Sequence, residues 1–288
     1  MHWIIVSLLT ALAVSSQDAW VKKHFSGLTS YEMSAYPILY SQPLFMISMF
    51  FVSIPELGPS FAWTFLANIP INALGFIMYM KAIQKSPLSL TIPYLAFTPV
   101  FMIITGYIFL DEMPGLWGIA GILIICAGGY ILNIEPGKWH IFSPLAAVFK
   151  ETGSWMMLIV AFIYSFGAVI GKKGILESSP LFFIVWFFGI FNPLLLLTLR
   201  FSGKIRMDTL FKSPFNGIIA GLFFFLHGMF HGWAISMTKA AYMISIKRLS
   251  VIFSIFYGKF VFKEKNISIR ISGSLLMLAG TILISLQG

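Results

Sequence analysis

Apolar residues fill this chain in blocks of about twenty, parted by short clusters of Pro, Gly and charge, and that pattern predicts membrane-spanning helices. Ten such blocks lie near residues 3–21, 34–53, 61–80, 88–110, 115–133, 156–174, 180–199, 214–236, 240–262 and 267–286, spans one to ten in chain order. Strand-type alternation of apolar and polar residues is absent, which argues against a membrane barrel. The expected fold is an all-α integral membrane protein of ten transmembrane helices.

Part of the pattern occurs twice. Val100–Leu132 reads VFMIITGYIFLDEMPGLWGIAGILIICAGGYIL, and 152 residues later (258 − 106) Ile252–Ile284 reads IFSIFYGKFVFKEKNISIRISGSLLMLAGTILI. Gly106 aligns with Gly258, Glu112 with Glu264, Gly121 with Gly273 and Gly128 with Gly280. Nearer the start of each half the offset is 150 (172 − 22), placing Lys22-Lys23 on Lys172-Lys173 and Gln42-Pro43 on Asn192-Pro193. The expected domains are a five-helix repeat at 1–133, a linker at 134–155 and a second five-helix repeat at 156–288. In the linker, Ser143-Pro144 can start a short interfacial helix carrying Leu145, Val148 and Phe149; a plain linker fits as well. A copy with an odd number of spans inserts its duplicate upside down, and inverted repeats are a common skeleton of alternating-access transporters.

Composition agrees. Charged residues make up 10% of the 288, against roughly 25% in soluble domains, and the mean hydropathy is +0.90. The opening MHWIIVSLLTALAVSSQ lacks the Lys or Arg of a secretory signal and continues into Asp18-Ala19-Trp20, so it reads as span one. The single cysteine, Cys126, excludes disulfides within the chain and cysteine metal clusters. The net charge of +9 is scattered over short loops, which points to membrane orientation and away from nucleic acid. Loops after odd-numbered spans hold Lys22, Lys23, Lys81, Lys85 and most of the other cations; the opposite side holds only Lys172, Lys173 and Lys239. By the positive-inside rule both termini then face outward.

Gly106-x5-Glu112 followed by a Gly-rich helix, repeated as Gly258-x5-Glu264, resembles the EamA-type branch of the drug/metabolite transporter superfamily. The resemblance spans essentially the whole chain. It implies ten helices in two five-helix repeats, a cavity lined by spans one, three, four, six, eight and nine, and cytoplasmic termini, opposite to the charge count. It implies no single substrate, since that superfamily moves amino acids, drugs, nucleotide sugars and sugar phosphates. A prokaryotic-type inner or plasma membrane is the expected location.

The candidate binding residues cluster by helical period. Lys247 and Arg248 sit about seven residues inside span nine, roughly 10 Å at 1.5 Å per residue, and intramembrane cations of this kind are functional candidates. Ser250, Ser254 and Tyr257 follow Lys247 at +3, +7 and +10 on one helical face. The pair is similar to the substrate clamp of the sugar-phosphate translocators, and Arg suits a planar oxyanion while Lys adds a point charge; snorkelling is the bland alternative. Span four matches it with Thr91, Tyr94, Thr98 and Thr105, and its Pro93 and Pro99 are candidate hinges. Span three presents Asn68, Asn72, Gly75 and Tyr79, and span eight Ala220, Phe224, His227 and His231. These side chains suit cavity lining or interhelical hydrogen bonds better than a metal site; neither metal nor cofactor is expected. Gln42 and Asn192 either cap carbonyls freed by their neighbouring prolines or meet substrate.

Span one offers Ser7, Thr10 and Gln17, with Asp18 near its end. No deep carboxylate for a proton relay is expected, which favours exchange or facilitated movement of an anion, with His227 and His231 as alternative proton carriers. Gly121, Gly128, Gly273 and Gly280 should bring spans five and ten together or build a homodimer. The function expected is secondary transport of a small anionic or zwitterionic metabolite across the lipid bilayer, without catalysis. Export of neutral or aromatic amphiphiles or amino acids is the alternative, and a membrane-embedded lipid-phosphate enzyme or a flippase is the rival from another class.

Overall fold

The computed structural model describes residues 2–131, 151–263 and 268–287. The expected linker helix around Leu145 and the acidic position Glu264 lie outside the described residues. Among those described, seven helical segments are long and apolar enough to cross a membrane: His2–Phe25, Phe61–Lys85, Ile92–Leu110, Thr152–Leu176, Pro180–Phe201, Pro214–Ser236 and Ala240–Phe260. Ser30–Met49 and the shorter apolar helices Leu116–Ile131 and Gly273–Leu286 fill the places of spans two, five and ten.

Several boundaries differ from expectation, those of spans one and two for reasons visible in their side chains. Span one runs to Phe25 because Lys22 is turned inward, its Nζ donating to the carbonyls of Ile83 (2.9 Å) and Ser86. Span two begins at Ser30, where Thr29 and Glu32 form a capping box; two backbone donors that the helix start leaves open are thereby satisfied. It ends at Met49, leaving Phe50 and Phe51 exposed.

Spans four and nine are broken at matching points. Span four consists of a single turn, Leu88–Thr91, a 3-10 stretch, Ile92–Phe97, and the helix Thr98–Leu110. Span nine consists of Ala240–Lys247 and Ser250–Phe260, parted at Arg248-Leu249. Thr98 and Ser250, where the second helices start, are 152 residues apart, the same separation as in the repeated sequence (250 − 98). Pro93 falls in the 3-10 stretch and Pro99 in the first turn of the following helix, a position proline tolerates. The candidate hinges Pro93 and Pro99 both lie in span four, yet span nine also breaks, without a proline.

The repeated Gly-x5-Glu segment is a helix stop. Asp111 adopts a left-handed backbone (φ 54°) and the Glu112 amide donates to the Gly106 carbonyl at 3.1 Å, closing the carbonyls that a helix end leaves open. Lys263, at the equivalent place, has φ 53°.

Spans five and ten pack on each other through their glycines. A Cβ on Gly128 would stand 2.6 Å from the Gly273 carbonyl, and one on Gly280 2.6 Å from that of Gly121. Backbones in this contact leave no room for a side chain, the packing mode that membranes favour. Spans two and seven are tied across the same pseudo-symmetry. Pro193 leaves the Gly189 carbonyl without its helical partner, and Gln42 Nε2 of span two donates to it at 3.0 Å. Asn192 donates to Ser41 Oγ at 3.2 Å. Each residue thus serves the opposite helix: Gln42 caps a freed carbonyl in trans, and neither amide lines the cavity.

Candidate functional site

The breaks in spans four and nine face a cavity of about 150 Å³ between the repeats. Most polar positions read from the sequence converge on it: Lys247, Arg248 and Ser250 from span nine, Asn68, Asn72 and Tyr79 from span three, and His227 and His231 from span eight. Arg248 is 5% exposed and Nη2 donates to Thr98 Oγ1 at 3.0 Å. Lys247 Nζ lies 3.3 Å from His231 Nδ1. Among the described residues, no carboxylate comes within ion-pairing distance of either cation; the ion pair at this cavity is Lys172 with Glu112.

Arg248 ends the first helix of span nine and Lys247 precedes it, so both side chains leave from the break itself, where Arg248 is turned to Thr98 and Lys247 to His231. Both cations thus have partners inside the protein.

The break also resets the helical phase. Ser254 is fully buried with an unpartnered Oγ, Tyr257 shares a 2.7 Å hydrogen bond with Ser16 of span one, and neither lines the cavity. Tyr94 is 3% exposed within the 3-10 stretch, where its neighbour Leu95 faces the cavity instead. Thr98 reaches the site only through Arg248. Thr91 and Thr105 return their hydroxyls to the carbonyls of Pro87 and Phe101 in their own segments. In span three, Asn72 donates to the carbonyl and side-chain oxygens of Asn68 at 2.9 and 2.8 Å, which fixes both amides on the cavity wall. The rings of His227 and His231 stand 6.1 Å apart, and no third His, Cys, Asp or Glu joins them among the described residues.

Beyond the candidate binding residues, the polar lining includes Gln17 and Asp18 of span one and Tyr164 and Lys172 of span six, of which only Tyr164 carries no sequence signal. Asp18 is 1% exposed, and Tyr79 donates its phenolic proton to Asp18 Oδ2. Gln17 beside it is 2% exposed, and Tyr164 of span six completes the group. The expectation of no deep carboxylate is therefore corrected. Asp18 lies seven residues before the end of its helix, although the basic cluster that follows it reads as a membrane boundary.

Part of the wall is aromatic, with Phe183, Phe187, Phe188 and Phe191 from span seven and Phe224 from span eight. Lys172 stands at one end, held by Glu112 and the Thr238 carbonyl, while Glu112 also accepts from the Ala240 amide at 2.8 Å. The same construction recurs at the other membrane face, where Lys22 donates to the Ser86 carbonyl. Ser86 and Thr238 are again 152 residues apart.

The sequence matches the model of the EamA-like transporter family over residues 1–134 and 151–286. The chain belongs to this family. It is a multi-pass membrane transporter of small molecules, embedded in a lipid bilayer. A solved crystal structure of a protein superposes on this EamA-like chain with a TM-score of 0.70, covering 99% of this chain and 96% of that one at 13% identity; the likeness concerns the fold. No curated protein matches the sequence.

Proposed function

We propose that this chain is a secondary transporter that carries a small anionic or zwitterionic metabolite by alternating access and binds it between the broken spans four and nine. The observation that carries the reading is the position of Lys247 and Arg248. Two adjacent cations are held at membrane depth on a cavity, with neutral partners and no carboxylate in ion-pairing distance among the described residues. Unpaired charge in this setting is costly, and a bound oxyanion offsets that cost. Arg248 supplies directional donors and Lys247 a point charge. Asn68, Asn72, Tyr79, His227, His231 and Ser250 supply neutral contacts from the remaining walls.

Alternating access follows from pairing residues 1–133 with 156–288 as inverted repeats. Broken helices at repeat interfaces are where such carriers bind substrate, and Pro93 and Pro99 flank the segment of span four that would change shape. We read the chain as a carrier in a prokaryotic-type inner or plasma membrane, and not as an enzyme. A homodimer through spans five and ten would use their outer sides, because their glycine faces meet each other.

The phenylalanine wall favours one second reading, export of neutral or aromatic amphiphiles. A thermal-shift screen of purified protein against phosphorylated sugars, nucleotides, carboxylates and amino acids separates the two. An anion that stabilises the wild type and not the Lys247→Gln, Arg248→Gln double variant supports the first reading. Stabilisation by neutral aromatic compounds alone, equal in both proteins, supports the second.

A further inference from the structure

The cavity contains unmet acceptors as well as cations. Asp18 Oδ1 and Gln17 Oε1, on adjacent residues of span one, are buried oxygens without a hydrogen-bond partner, and both residues line the cavity. On the same cavity Arg248 Nε is a buried donor without a partner. All three residues are more than nine-tenths buried. Tyr79 holds the other oxygen of Asp18, so the carboxylate is fixed while Oδ1 stays open. Neither neighbouring cation is paired with it: Arg248 donates through Nη2 to Thr98, and Lys247 lies against His231. A buried carboxylate oxygen and amide oxygen without donors are costly, and their convergence on one cavity calls for a hydrogen-bond donor, which the charge of Asp18 favours as a cationic one.

We propose that Asp18 Oδ1 and Gln17 Oε1 form a subsite for an ammonium group beside the anion subsite of Lys247 and Arg248, so that the ligand of this cavity is a zwitterion. The proposal rests on the anion-binding reading above and narrows it. An ammonium carries three donors and no acceptor, which suits two open acceptors on neighbouring residues. Of the other polar groups on the lining, Tyr79, Tyr164, His227 and His231 supply no second negative charge and Lys247 and Arg248 oppose a cation, so Asp18 is the charge that favours a cationic group there. An inorganic cation could meet the same oxygens, and the experiment separates these sources.

The test measures the affinity of the full-length purified protein for two matched pairs: L-phenylalanine with 3-phenylpropanoate, and 2-aminoethyl phosphate with ethyl phosphate. Each pair differs in the ammonium alone. In at least one pair, the amino compound should bind the wild type about tenfold more tightly, the scale of a hydrogen bond to a charged group. Asp18→Asn should reduce that ratio to about twofold or less, because a neutral amide replaces the charge. Equal affinities within both pairs, or a ratio that Asp18→Asn leaves unchanged, overturn the subsite.

If a des-amino member binds the wild type and is lost in Lys247→Gln while the ratio stays near one, the anion reading stands and the ammonium subsite falls. If none of the four binds, both fall. The measurements are repeated in sodium and in choline chloride. Stabilisation by sodium that disappears in Asp18→Asn, with no preference for amino compounds, assigns the oxygens to an inorganic cation and overturns the zwitterion. Should Asp18→Asn fail to fold, the wild-type ratios together with Gln17→Met decide, since that variant removes the second acceptor and should also lower the ratio.

Discussion

Arg248 donates from Nη2 to Thr98 Oγ1 at 3.0 Å, joining the break in span nine to the first residue after the break in span four. The two partners belong to opposite repeats, and Thr98 is itself the repeat equivalent of Ser250, two residues beyond Arg248. One hydrogen bond therefore links the two discontinuous helices and aims the guanidinium. Replacing Thr98 with Val keeps the shape and removes the acceptor. Thr98→Val should fold normally and raise the KM for the transported ligand about five- to thirtyfold, in line with about 1–2 kcal/mol for a buried hydrogen bond. Initial uptake rates in proteoliposomes measure this, and an unchanged KM would show that Arg248 needs no support from span four.

The glycine contact of spans five and ten sets a stability requirement. A Cβ at Gly280 would meet the Gly121 carbonyl at 2.6 Å and Ile125 backbone nitrogen at 3.0 Å, whereas one at Gly27 meets nothing within 4 Å. Gly280→Val should lower stability by about 1–3 kcal/mol, the usual cost of overpacking, while Gly27→Ala should stay within about 0.5 kcal/mol. Thermal unfolding followed by fluorescence in detergent compares the two variants. Similar midpoints would remove the contact from the account.

The tie between Gln42 and Gly189 predicts a coupling. Gln42→Ala should cost about 1–2 kcal/mol because it strips the donor from a buried carbonyl. In a Pro193→Ala background the helix recovers its own N–H at that place, so the same substitution should cost less by about 0.5 kcal/mol or more. A double-mutant cycle measures the difference, and strict additivity would mean that the proline-freed carbonyl is not what Gln42 serves.

Lys172 is 4% exposed and depends on Glu112 for its counter-charge. Glu112→Gln alone should destabilise by about 3–5 kcal/mol, since it strands a buried cation, and adding Lys172→Met should recover much of that loss. Thermal midpoints of the single and double variants check it. A double variant no better than the single would place the role of Glu112 in its bond to the Ala240 amide instead.

The spans and their doubling were legible because lipid imposes them. Twenty apolar residues, a helix stop at Gly106-x5-Glu112 and glycines that meet backbone to backbone all leave residue-type signatures. The break at Arg248-Leu249 was not legible, since neither Gly nor Pro marks it; only its alignment with the proline-marked break near Thr98 betrays it. Ser254 and Tyr257 share the face of Lys247 only along an unbroken helix, and the break turns them away from the cavity. Asp18 was hidden by its neighbours. Lys22 and Lys23 look like a membrane boundary in sequence, yet Lys22 is turned inward onto the carbonyls of span three and Ser86, and the acid before it lies on the cavity. A boundary rule reads such charges as facing water, and in a transporter they can face the path of the substrate.

The most direct measurement of the central claim is the affinity of the anion that best stabilises the protein, set beside that of its uncharged amide or ester analogue. Both are measured for the wild type, Lys247→Gln and Arg248→Gln. If Lys247 and Arg248 bind the ligand's negative group, each substitution weakens the anion by about tenfold or more, the scale of a charge-assisted hydrogen bond, and changes the analogue by about twofold or less. Equal losses for anion and analogue, or no loss in either variant, would contradict the account and make the cationic pair a structural feature of the broken helix.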